Sequence, residues 1–131
     1  MNWMHFGLVV VVSGVVASFT DWLFMGVLFH KKYQEAPEAW RSGVSETGKI
    51  VWSEVVGLIT CAAFAYLLIH TGCQTIGQGL LTAGLVWLAG PVAIGATNLL
   101  WMRISPYIGV SHALGWLARL VLVAIAAAYL P

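Results

Sequence analysis

Five polar side chains stand inside otherwise apolar stretches of this chain: Asp21, Glu54, Asn98, His112 and Arg119. A charged group at the centre of a membrane span costs roughly 2.5–3.5 kcal/mol even on lenient insertion scales, so it is normally paired or faces a cavity. Two chemistries suit Asp21 and Arg119. As an ion pair they would fix helix order and rotation. As separate groups, Asp21 would bind a proton or cation and Arg119 an anionic head group or substrate. Glu54, Asn98 and His112 form a second layer, which with Ser53 and Thr97 suits a hydrogen-bonded network or a proton relay. No Ser-His-Asp grouping, phosphate-binding glycine loop or HExxH pattern occurs, and no nucleophile stands beside Glu54 or His112. The expectation is a protein without a catalytic site.

The remaining metal-binding residue types are spread out. His5 and His70 fall at one end of their stretches, His30 and His112 towards the other. His5 and His30 would lie about 37 Å apart on one helix, which does not suit haem ligation. Cys61 and Cys73 would be separated by about 18 Å of helix, too far for a disulfide. Neither a metal nor a cofactor is expected, and both cysteines read as free thiols.

These residues need elements to hold them, and composition decides the kind. Of 131 residues, 60% are hydrophobic and 8% charged, against about 25% charged in a soluble domain. Lipid is the solvent that such a surface suits. A net charge of +1 without a basic tract gives no pull on nucleic acid. Four stretches reach the about 20 residues that a span requires, at about 3–29, 50–69, 79–102 and 107–130. Each must be helical, because backbone polar groups cannot face lipid unpaired. The first has no basic residues ahead of it and stays apolar as far as Phe29, so it reads as a retained span rather than a cleaved signal. The whole chain reads as one membrane domain, 1–131.

Lys31, Lys32, Arg41, Lys49 and Arg103 all fall in the first and third connections, 30–49 and 103–106. The positive-inside rule then places those loops in the cytoplasm and both termini outside. Aromatic residues suit both interfaces: Trp3, Phe6, Tyr66 and Tyr129 outside, and Phe29, Tyr33, Trp52, Trp101 and Tyr107 inside. Asp21 then lies roughly 13 Å and Arg119 roughly 16 Å below the cytoplasmic boundary, at comparable depth.

Small residues mark where membrane helices approach one another. The spacing places Gly7, Gly14, Ser18 and Asp21 on one face of the first span, and Ser53, Gly57, Cys61 and Ala65 on one face of the second. Gly84, Pro91, Gly95 and Asn98 align in the third. Ser111, Gly115 and Ala118 align in the fourth, beside His112, Trp116 and Arg119. The predicted packing positions are Gly14, Ser18, Gly57, Cys61, Gly95 and Gly115, in an all-α, antiparallel four-helix bundle. Pro91 should kink the third helix. A short surface helix near Glu38–Arg41 is compatible with the first loop.

Two segments carry a family likeness. Trp22-Leu23-Phe24-Met25-Gly26-Val27-Leu28-Phe29-His30-Lys31-Lys32-Tyr33 resembles a pattern of an aromatic, an apolar stretch, Phe, then Lys and a second aromatic. Thr97-Asn98-Leu99-Leu100-Trp101 resembles a Thr-Asn followed by an apolar-aromatic pair. Both are similar to a family of small bacterial four-span membrane proteins, domain of unknown function family 1761. The resemblance implies a four-helix protein of the bacterial inner membrane and no assigned activity. The residues themselves suggest transport or permeation of a small solute or proton. Four spans are few to enclose a pathway, so that role implies a homodimer, with the Gly57–Ala65 stripe as its contact. The alternative is an accessory subunit of a membrane complex, its polar residues serving helix registry.

Overall fold

A computed structural model describes residues 1–73 and 75–131. Helix α1 (Trp3–Asp21) continues through a π-helical segment, Trp22–Leu28, and a short α2 (His30–Gln34) follows. After a 3-10 turn at Pro37–Ala39 come α3 (Glu46–His70), α4 (Ile76–Trp87), a second π segment at Leu88–Val92, α5 (Ala93–Trp101) and α6 (Pro106–Tyr129). Four helical runs are long and apolar enough to cross a membrane: Trp3–Leu28, Glu46–His70, Ile76–Trp101 and Pro106–Tyr129. The protein is a multi-pass, all-α membrane bundle.

Side-chain caps place the ends of these runs. Ser45 accepts from the Gly48 amide and starts α3 four residues before the apolar pattern does. Thr75 and Gln78 form a reciprocal capping box that starts α4. Gly72, at φ +70°, supplies the left-handed residue after α3, and the Cys73 amide reaches back to the Leu68 carbonyl. The irregularity expected at Pro91 takes the form of the Leu88–Val92 π turn, which absorbs the missing proline N–H. The π segment after Asp21 contains no proline. There the Trp22 ring lies over Gly26, about 3.1 Å from where a Cβ would stand.

The fourth span is the hub. It packs against the first, second and third spans, and the first also packs against the second. Its share of buried residues is the largest of the four and the third span's is the smallest. The third span leans mainly on α6. Gly79 lies under Ala124, Leu99 lies over Gly109, and the Trp87 indole donates to the Ala113 carbonyl at 2.7 Å. The second half of the third span therefore looks largely outward. Nothing lies within 4 Å of a Cβ placed on Gly95 or Gly84, so Gly95 is not a close-packing position. The small-residue pattern could not show that this helix has one main neighbour.

The larger apolar core lies in one half of the bundle. Val9, Cys61, Phe64, Ala65, Leu68, Ala83, Leu120, Val123, Ala124 and Ala126 make a continuous core towards the end where the chain termini lie. In the other half a smaller cluster ties the first loop down, with Tyr33 and Ala36 packed on Ile108. Tyr33 is buried. Its ring is tilted against Trp40 (5.1 Å between centroids) and stacked with His112 (6.1 Å). Burial pushes the Tyr33 hydroxyl above its ordinary pKa, so it stays protonated and donates to Ser111 Oγ at 3.1 Å. Lys32 adds an ion pair with Glu35 at 2.9 Å and lies 4.7 Å from the Tyr107 ring centroid.

Candidate functional site

Asp21 is the last residue of regular α1, and Arg119 lies midway along α6. The packing of α1 on α6 brings them into a direct salt bridge, with Arg119 Nη2 donating to Asp21 Oδ2. The side chains are 7% and 20% exposed, so the pair is sheltered but not sealed. Arg119 Nη1 points to Cys61 Sγ at 3.6 Å, a weak acceptor.

Two glycines make room for this pair. A Cβ on Gly57 would stand 2.5, 2.7 and 2.7 Å from Nη1, Cζ and Nη2 of Arg119. Near-equal distances to these three atoms mean that the flat guanidinium lies face-on against the α3 backbone. A Cβ on Gly115 would stand 3.0 Å from Asp21 Oδ1. The buried stripe of α6 is therefore Ser111, Gly115 and Arg119, at intervals of four, rather than Ser111, Gly115 and Ala118. Simple four-residue counting would have found it.

The other predicted positions divide. Gly14 closes on Leu58 of α3, at 2.5 Å from a notional Cβ. Ser18 donates to Glu54, tying α1 to α3 one turn from that contact. Cys61 and Ala65 are buried inside the chain with Gly57, so this stripe is used within the protomer and is not free to serve as a contact between copies. Asn98 does not join Glu54 and His112. It rides on the outward-leaning third span and has no side-chain hydrogen bond among the described residues. Thr97 donates to its own helix, at Ala93 O. Both cysteines are free thiols. Among the described residues no group of three or more His, Cys, Asp or Glu could hold a metal.

A cavity of about 510 Å³ leads to the ion pair. Lys49 and Trp52 stand at one end, near the start of α3, and Thr60 and Arg119 at the other. That run is about 16 Å of helix. Phe24, Met25, Val56 and Trp116 supply apolar walls, and Ser53, Ser111 and His112 polar ones. Glu54 is not among the lining residues. The apolar core lies beyond the pair. Sequence reasoning missed the roles of Lys49, Trp52 and Trp116, because nothing local marks residues from α3 and α6 as opposite walls of one space.

Neither Arg119 Nε nor Asp21 Oδ1 has a hydrogen-bond partner among the described residues, while no buried side-chain nitrogen or oxygen is left unpartnered. Both atoms therefore keep some accessible surface. Asp21 and Arg119, which both line the cavity, thus carry one unused acceptor and one unused donor beside their ion pair.

Comparison with known proteins finds a family for this chain. Residues 8–128 fit the model of a family described as a protein of unknown function (DUF1761). No curated protein and no solved structure matches the chain.

Proposed function

The chain belongs to that DUF1761 family of unknown function, and from its own residues we propose that it moves a small solute or a proton across the cell membrane. The observation that carries this reading is the Asp21–Arg119 pair at the floor of a cavity that runs from the Lys49–Trp52 end to mid-span. An intramembrane ion pair reached by a cavity is the arrangement from which proton and solute pathways are built. The role is non-catalytic: Glu54 is engaged by Ser18, and His112 is stacked on Tyr33. The five Lys and Arg of the first and third loops favour a cytoplasmic position for both, with the termini outside, in a bacterial inner membrane. The apolar core beyond Arg119 closes the cavity at one end, so passage requires rearrangement of the helices. A second copy or another membrane subunit could cover the cavity's open side.

A second reading also has an observation in its favour. The fit of Gly57 and Gly115 around the pair suits a registry lock in an accessory subunit. The two readings separate in sealed proteoliposomes carrying an internal pH indicator. Asp21→Asn keeps an acceptor for Arg119 but removes the titratable charge. It is expected to abolish solute or proton flux while helicity and elution volume stay unchanged. Equal flux in wild type and folded Asp21→Asn, or wild-type flux no greater than in empty vesicles, would sink the transport reading.

A further inference from the structure

We infer that the floor of this cavity is a site for a small monovalent carboxylate, which replaces the Asp21 carboxylate on Arg119 as Asp21 takes up a proton. The inference rests on the permeation reading and names its substrate class and its coupling.

Charge and hydrogen-bonding capacity point the same way. Among the lining residues Lys49 at the mouth and Arg119 at the floor outnumber Asp21, which gives a surplus of one positive charge before His112 is counted. The guanidinium is not saturated. Nη2 is given to Asp21 and Nη1 to a thiol, while Nε is unused. A carboxylate is the acceptor whose shape matches that fork. Gly57 backs one face of the guanidinium, so a competitor approaches from the cavity side. Trp52, Trp116, Met25 and Val56 would flank an apolar body, and the cavity volume lies within the range of small-ligand sites.

Coupling to a proton follows from the energetics of buried charge. The charged and titratable groups near Asp21 come from each element packed against it. Arg119 and His112 lie on α6, Glu54 and Lys49 on α3, and Tyr33 on α2. Two arrangements leave the floor neutral: Asp21 ionised on Arg119, or Asp21 protonated with a substrate carboxylate on Arg119. A proton alone would leave the guanidinium unpaired in a sheltered place, and an anion alone would set two carboxylates against one guanidinium. Both are costly away from water. Proton and anion therefore enter together. No bond is made or broken beyond the transfer of one proton to the Asp21 carboxylate.

The test is calorimetric titration of the detergent-solubilised protein with benzoate, using benzamide as the uncharged counterpart. Repeating the titration in buffers of different ionisation enthalpy gives proton uptake. Wild type should bind benzoate with affinity rising about tenfold per unit fall in pH, with about one proton taken up per benzoate, and should not bind benzamide. Asp21→Asn should bind benzoate at least about tenfold more tightly than wild type at pH 8, without proton uptake. Affinity independent of pH in wild type, equal binding of benzamide, or no benzoate binding at any pH would each overturn the inference. The wild-type series decides this without the variant. If benzoate fails to bind while Asp21-dependent flux persists in vesicles, only the substrate assignment falls. Loss of both would remove the permeation reading as well.

Discussion

Asp21→Leu is expected to destabilise the protein by about 3–5 kcal/mol, measured by denaturant unfolding in detergent, because it leaves an unpaired guanidinium that cannot shed its proton. The Arg119 side chain is 7% exposed and lies flat on Gly57, so it has little freedom to swing to water. Arg119→Leu should cost less, since the orphaned Asp21 carboxyl can take up a proton and become neutral. The double replacement should recover most of the loss, because apolar side chains can stand in for a buried pair without a stability deficit. This stable double variant is further expected to be inactive in flux. Retained flux in a stable Asp21→Leu, Arg119→Leu protein would mean that the pair serves registry alone.

Gly57→Val carries the second large effect. Its side chain would occupy the space where the guanidinium now lies, 2.5–2.7 Å from a Cβ at that position. Overpacking alone costs about 1–3 kcal/mol. Displacing Arg119 would also weaken its bond to Asp21, so the total should approach that of Asp21→Leu. The cause can be isolated in an Arg119→Ala background, which vacates the space. There the same Gly57→Val change should be nearly neutral, a coupling of more than about 1 kcal/mol between contacting residues. Equal cost in both backgrounds would mean that α3 packs on α6 through some other contact.

The four spans were legible because each is an uninterrupted apolar run of the length that lipid demands. Their ends were not, since hydroxyl caps at Ser45 and Thr75 extend the helices beyond the apolar pattern. Asp21 and Arg119 could be matched by depth alone, and they form a salt bridge. The surroundings of the pair were harder to read. Periodicity assigns each helix a face but not a neighbour, and it could not reveal that α6 is the hub and the third span peripheral. Gly95 was therefore credited with a close contact that it does not make, and Asn98 with a network that it does not join. Tyr33 was read as an interfacial aromatic, and nothing local announced that it is buried. Its burial depends on Trp40, His112 and Ser111, which lie up to 79 positions away in the chain. The π segment after Asp21 has no proline to announce it. It adjoins a residue of the candidate site, a common place for such turns.

The central claim is that the cavity is open to water on the side of the first loop and leads to Arg119. The direct measurement is modification of Ser53→Cys by a membrane-impermeant methanethiosulfonate reagent in sealed vesicles, with Cys61→Ser and Cys73→Ser removing the native thiols. Ser53 lines the cavity between its mouth and the ion pair. The account predicts modification from the same side of the membrane that modifies Ser42→Cys in the first loop. No modification from that side, or modification only from the opposite one, would contradict it.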